Sequence, residues 1–203
     1  MEFDLTGGEY LARAYKLLAG LVTPRPIAWV TTISPREIVN LAPFSFYNVF
    51  GANPPVAVIS PTLTRDGRKK DTLVNVEATG ELVINASCWR DAERINQSSV
   101  SLPPEESEVE LLGLATHPSS HVGPPRLADT AFAMECKVRQ VIPVGNGPIS
   151  ANLIIAEIVS IYIDDRMLDP AGMPDPQKID SIARLGGDWW ARSTDLFTLQ
   201  RPQ

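Results

Sequence analysis

Proline sets the firmest limit on what this chain can fold into. Eighteen prolines stand against 13 glycines in 203 residues. Each one fixes its own backbone and removes a hydrogen-bond donor, so helices break at it and central strands avoid it. The chain is therefore expected to run as many short strands and fixed loops, with helices in a minor place. Hydrophobic residues at 44% and charged residues at 21% are ordinary for a globular protein and too apolar for a mainly disordered one. A chain of this length buries roughly 70% of its unfolded surface, enough for a core without staples. One domain over residues 1–203 is the expectation, with 1–22 as an N-terminal extension and 165–203 as a C-terminal tail.

The pattern along the chain supports that class. Glu9 to Leu21 is amphipathic, with Leu11, Tyr15, Leu18 and Leu21 at helical or near-helical spacing. Thr23-Pro-Arg-Pro26 ends it. Ile27 to Ile33 is rich in β-formers and reads as a strand; Ser34 to Glu37 is a turn, and Ile38 to Tyr47 is a second extended run. Pro55 to Ser60 is nearly all apolar, as in a strand buried on both faces. Asp71 offers an N-cap for a helix over Thr72 to Thr79, with Leu73 and Val76 inward and Gly80 at its C-terminal end. Glu81 to Asn85 is a strand, Trp89 to Val100 a helix, and Ser101 to Arg126 largely loop with a helical turn near Glu105 to Leu112. Ala131 to Val141 and Leu153 to Ile163 alternate as two long strands reversed at Gly145-Asn-Gly147, where Pro148 widens the turn. At least six strands with few helices point to an antiparallel barrel or sandwich with peripheral helices.

Three stretches carry chemistry. The first is the basic loop Arg65, Arg68, Lys69 and Lys70 running into Asp71-Thr72. Cations and a hydroxyl at a helix start, where backbone N–H groups are free, make a cradle for a phosphate; a solvated charged loop with an ordinary cap has the same residues. The second is Thr23-Pro-Arg-Pro-Ile-Ala-Trp29, in which Arg25 stands on a stiff backbone and loses little entropy on meeting an anion or a flat ring. A rigid strand entry is the plainer alternative. The third, Asn40 to Tyr47, alternates small, hydroxylic and aromatic residues, and Pro43 keeps it from being an uninterrupted central strand.

Other constellations are weak. His117 and His121 form HxxxH in a loop-like segment broken by Pro118, so no metal site is expected. Cys88 and Cys136 make no CxxC pair. There is no GxSxG elbow, no strand–GxGxxG–helix unit and no GxxxxGK[ST] loop. A net charge of −6 gives no cationic field for a nucleic acid, so any anion must be held locally. Neither a secretory leader nor an 18-residue apolar stretch is visible, and the protein is expected to be cytoplasmic, away from membranes.

The runs TPRPIAWVTT, NLAPFSFYNVFGANPPV, KDTLVNVEATGELVIN, PPRLADTAFAMEC and the late RLGG stand in one order. Together they resemble the flavin-reductase-like family over roughly Tyr15 to the C-terminus. The resemblance implies an antiparallel Greek-key FMN-binding split barrel that works as a homodimer, with FMN near the interface. Carried onto this chain, Lys70, Asp71 and Thr72 would serve the FMN phosphate. Arg25, Pro26 and the Asn40–Tyr47 stretch, chiefly Asn40, Ala42, Pro43, Ser45, Phe46 and Tyr47, would line its ribityl chain and ring. Arg184, Trp189 and Asn152 would stand on the substrate side, with Arg184-Leu-Gly-Gly187 and Trp189-Trp190 either closing over the cleft or the dimer seam or simply packing the C-terminus onto the barrel as core. The implied activity is an oxidoreductase passing hydride or electrons from NAD(P)H through FMN to free flavin, a metal complex or a partner oxygenase. A non-enzymatic electron carrier is a second reading. A hydrolase using Ser45 with His117 or His121 is a third. One departure stands out: many NADH-dependent members carry a histidine in a turn that here reads Pro148-Ile-Ser-Ala-Asn152.

Overall fold

The computed structural model describes residues 2–6 and 10–202. Helix α1 (Leu11–Leu21) is the first element; Glu9, where the amphipathic pattern begins, lies outside the described residues. Seven strands then build the main sheet: β2 (Ala28–Ile33), β3 (Val39–Phe44), β4 (Tyr47–Ala52), β5 (Pro55–Ile59), β6 (Glu81–Asn85), β9 (Phe132–Val144) and β10 (Ala151–Ile163). Their order is β3-β2-β6-β9-β10-β5-β4, and every pairing is antiparallel. The two edges, β3 and β4, are consecutive in sequence and joined only by Ser45-Phe46. Two residues span only about 7 Å, so the sheet must curl until its edges meet. They do not pair with each other. The barrel is split at that seam.

Side-chain alternation fills the barrel. Ala28 and Val30 of β2, Ala57 and Ile59 of β5, Leu82 and Ile84 of β6, Met134 and Cys136 of β9, and Ile154, Ala156 and Ile158 of β10 share one core. Helix α2 (Asp71–Thr79) adds Leu73 and Val76 to it, and Gly80 ends the helix in the left-handed region at φ 71°. The outer face of β2 and β3 is buried as well. Ile27, Trp29 and Leu41 pack against Ile95 of α3 (Ala92–Gln97), Val109 of α4 (Glu108–Leu111), Leu127 and Ile182. The Trp29 indole N–H is satisfied there by the Ser98 hydroxyl at 2.9 Å.

The tail belongs to the body of the protein. Strand β1 (Arg25–Pro26) pairs with β11 (Ile182–Arg184), which pairs with β12 (Trp190–Arg192), forming a three-stranded sheet. Strands β7 (Thr116–His117) and β8 (Arg126–Leu127) form a small separate pair, and the one-turn helix α5 (Pro176–Ile179) precedes β11. Residues 182–192 are thus no loose extension, since β11 lies against the strand entry at Arg25.

The structure departs from the sequence reading in two elements. The run Ile38–Tyr47 is two strands, because the chain leaves one sheet edge at Phe44 and joins the other at Tyr47. Pro43 is tolerated because β3 is an edge with no partner on its outer side. The segment Trp89–Val100 holds a 3-10 turn at Trp89–Asp91 and only six residues of α-helix.

Candidate functional site

A cleft runs along the outside of β3, from the start of α2 to the C-terminal strands. One end, about 170 Å³, is lined by Asn40, Ala42 and Pro43, by Lys70, Asp71 and Thr72, by Ser98 to Leu102 and by Glu108. The other, about 200 Å³, is lined by Tyr15, Ile27, Pro43, Ser45, Ile95, Asn96, Ser99, Arg184 and Trp190. Pro43 and Ser99 border both, which makes one elongated site with two chemically different ends.

The α2 end is built to hold an anion. Asp71 was expected to cap the helix, but it is the first helical residue, and the cap position is held by Lys70 in extended conformation. A lysine side chain has no acceptor to offer. The Lys70 carbonyl takes the Leu73 and Val74 N–H groups at 2.9 and 3.1 Å, while those of Asp71 and Thr72 have no acceptor among the described residues. Arg68 is engaged by Asp66 and Lys69 by Glu77. Lys70 has no acidic partner among the described residues. Its ammonium lies 5.5 Å from the Phe44 ring centre, and the surrounding walls desolvate it enough to lower its pKa. An unpaired cation beside two free N–H groups at a helix start asks for an anion.

Thr72 is placed differently from the simple cradle picture. It is buried, and its hydroxyl donates inward to Asn40 Oδ1 at 2.8 Å. Asn40 Nδ2 and the Leu41 N–H both donate to Glu108 Oε2 at 2.9 Å. Glu108 is 4% exposed; desolvation and, more weakly, the neighbouring Asp71 charge outweigh these hydrogen bonds and raise its pKa above the usual carboxylate range.

At the other end Arg184 lies over the Trp190 ring, 4.6 Å from its centre, and donates to the Gly187 carbonyl at 2.6 Å. Arg25 stands behind this wall, 5% exposed. It donates to the Ala19, Val22 and Leu185 carbonyls and, at 3.4 Å, to the Ser45 hydroxyl. It therefore ties the end of α1 and the tail to the seam of the barrel, and its guanidinium is occupied by protein.

Asn40, Ala42, Pro43, Ser45, Lys70, Asp71, Thr72 and Arg184 thus line one cleft. Other sequence-chosen residues do not. Pro26 pairs with Ala183 in the small sheet. Phe46 turns outward and meets Tyr15 edge-on at 6.0 Å. Tyr47 alternates into the barrel core, where burial pushes its phenol up to about 12. Trp189, in the turn before β12, is 75% exposed, and its neighbour Trp190, the first residue of that strand, takes the place in the wall. Asn152 sits at the far end of the β9–β10 hairpin, opposite Pro143, and holds the Pro61 carbonyl at 3.2 Å. Sequence reasoning named Trp190 only as part of the closing tail, and it missed Ser99, Asn96 and Glu108. Ser98-Ser99 and Ser101 were the available signal, a hydroxyl cluster directly after a helix.

An antiparallel split barrel with such a two-ended cleft at its seam is the frame of a flavoprotein. The family model described as "Flavin reductase like domain" matches residues 20–177. The chain belongs to the flavin reductase-like family. An uncharacterized protein of Halalkalibacterium halodurans is 43% identical over 93% of this chain and 90% of its own length. Among solved structures, nitrilotriacetate monooxygenase component B from Bacillus cereus superposes with a TM-score of 0.90 at 31% identity, covering 98% of each chain. The 2-nitrobenzoate 2-nitroreductase of Pseudomonas fluorescens superposes at 0.84 and 30% identity, over 100% of this chain and 96% of its own.

Proposed function

We propose that the cleft holds FMN, with the phosphate at Lys70 and the free N–H groups of Asp71 and Thr72. The ribityl chain runs past Ala42, Pro43 and Ser99, and the ring lies near Ser45, Arg184 and Trp190. The observation that carries this reading is the unpaired Lys70 beside the open start of α2, at one end of a cleft whose other end is walled by an aromatic ring. One cradle suits one terminal phosphate, which favours FMN over a dinucleotide flavin.

Bound FMN would supply two-electron chemistry, and the protein would supply binding, orientation and the electrostatics of the ring's surroundings. The protein is then an oxidoreductase that draws on NAD(P)H and delivers electrons to free flavin, a metal complex or a partner oxygenase. It works in the cytoplasm as a homodimer. The exposed apolar residues Leu18 and Leu21 of α1 and Val49 and Phe50 of β4 support the dimer. An electron carrier without a nicotinamide step is favoured by one observation: the hairpin turn Pro148–Asn152 carries no histidine, and Asn152 is held by the Pro61 carbonyl. Neither His117 nor His121 lines the cleft with Ser45, so the hydrolase reading has no base beside its nucleophile.

The test is a titration with FMN, followed by NADH and NADPH oxidation under excess FMN. Quenched flavin fluorescence at micromolar protein together with nicotinamide oxidation supports the enzyme. Flavin binding without oxidation selects the carrier. No binding of FMN overturns the flavin reading.

A further inference from the structure

Behind the anion cradle lies a chain of hydrogen bonds that the flavin reading leaves unused. Glu108 Oε2 accepts from Asn40 Nδ2 at 2.9 Å, and Asn40 Oδ1 accepts from the Thr72 hydroxyl at 2.8 Å. All three residues are buried and all three border the same end of the cleft. Thr32 makes a weaker contact to Asn40 Oδ1 at 3.4 Å and accepts from Asn75 at 3.1 Å. The direction of every bond follows from the charge of one group. An ionised carboxylate only accepts, so it turns the Asn40 amide nitrogen toward itself. That leaves the amide oxygen facing Thr72 and takes the hydroxyl proton inward. A protonated Glu108 reverses each step. Its O–H donates to Asn40 Oδ1 while the same oxygen still accepts from Leu41, the amide turns over, Nδ2 donates to Thr72, and the hydroxyl proton is freed for the cleft.

We infer that Glu108, Asn40 and Thr72 form a proton-linked relay that decides whether Thr72 gives its hydrogen bond to an anion in the cradle or keeps it inside the protein. The proton comes from solvent and goes to Glu108; no bond to the ligand forms or breaks. Glu108 is a positioning residue in this scheme, acting through Asn40. The charged groups around it are Asp71 from α2 and Arg68, Lys69 and Lys70 from the loop before α2, while β3 brings only the uncharged Asn40 and Leu41. Burial and the Asp71 charge already move Glu108 toward the protonated form. A dianion arriving beside Lys70 would push the same way, so binding and proton uptake reinforce each other.

The inference rests on the anion-cradle part of the proposed function, and a pair of variants separates the two. Riboflavin lacks the phosphate, so the ratio of FMN to riboflavin affinity reads the cradle alone. Glu108→Gln mimics the protonated carboxyl, since its amide N–H can donate to Asn40 while its oxygen accepts from Leu41. At pH 8 this variant should raise the ratio roughly three- to tenfold over wild type, the scale of one net hydrogen bond. A ratio lowered or unchanged overturns the relay. Thr72→Val gives an independent reading should Glu108→Gln fail to fold. It should change FMN affinity by less than about twofold at pH 8 and weaken it several-fold at pH 5.5 relative to wild type at the same pH. Comparison at equal pH cancels the titration of the FMN phosphate itself. Equal losses at both pH values would mean that Thr72 donates to the anion throughout, and the relay would be wrong. If wild type binds neither flavin, the flavin reading has failed, and sulfate replaces FMN as the probe. Thermal stabilisation by sulfate at pH 8 must then be larger in Glu108→Gln than in wild type, or, without a folded Glu108→Gln, no smaller in Thr72→Val than in wild type; failing that, the relay falls as well.

Discussion

At the scale of single residues, the four cations of the Arg65–Lys70 loop look equivalent in sequence and are not equivalent in space. Arg68 and Lys69 are exposed and neutralised by Asp66 and Glu77, and such surface pairs contribute little. Lys70 alone of these four borders the cleft next to the open helix start without an acidic partner among the described residues. Lys70→Ala should therefore weaken FMN binding roughly tenfold to hundredfold, the range for a charge-assisted hydrogen bond, while Lys69→Ala should stay within about threefold of wild type. Equal losses in fluorescence titrations of the two would show that the loop acts as a diffuse field instead of a site. Glu108 gives a second prediction, in stability. Its folded pKa is raised, so the folded state binds more protons than the unfolded state over the window between the two values, and stability is lost as pH rises through the folded one. Glu108→Gln removes that loss. Its melting temperature relative to wild type should be highest near pH 8 and fall to parity toward pH 4. A difference that grows toward acid would contradict the assignment. What made Lys70 legible in the sequence was local: cations, then a helix start. What hid Glu108 was distance, since its partners Asn40 and Leu41 are joined to it only by folding.

At the scale of elements, strands and helices with strong local signals were readable: α2 with its inward Leu73 and Val76 and its Gly80 stop, β2, β6 and the β9–β10 pair. The crossing at Ser45-Phe46 was not, because nothing local says that two adjacent extended residues belong to opposite edges of a curled sheet. The tail was half legible. Its glycines announced a close approach, and the structure identifies the partner: a methyl added at Gly186 would come 3.0 Å from the Gly20 Cα at the end of α1, and Gly187 has φ +61°. The neighbouring Leu185 carbonyl is held by Arg25 at 3.0 Å. Gly186→Ala requires the backbone at Gly20 or Gly186 to give by a few tenths of an ångström, so it should loosen the tail on α1 and shift Arg184 and Trp190 at the cleft. The expected result is a loss of about 1–3 kcal/mol in chemical denaturation and a several-fold loss of FMN affinity, with the barrel's far-UV signal kept. Truncation after Ser181 should do the same to affinity. A truncated protein with normal FMN binding would show that the tail serves stability only.

At the scale of the whole molecule, the barrel closes its core but leaves an apolar face outside it. Val49 and Phe50 on β4 are 54% and 69% exposed, and Leu18 and Leu21 on α1 are 48% and 78% exposed. Tyr15 on α1 and Phe46 just before β4 meet edge-on at 6.0 Å and link the two elements near the cleft, where Tyr15 forms part of the wall. Strand β4 is also a sheet edge with no partner on its outer side among the described residues, and an apolar edge of this kind is a liability unless something covers it. A second copy of the chain would cover it and shelter the ring end of the cleft in one step. Phe50→Asp places a charge on that edge, and if the edge is the seam the charge is left buried and unpaired. Light scattering should then report a dimer for wild type and a monomer for the variant. FMN affinity should fall with it, although Phe50 borders neither end of the cleft. A variant that stays dimeric and binds FMN as wild type does would place the seam elsewhere. A monomer with unchanged affinity would show that each cleft is complete within one chain.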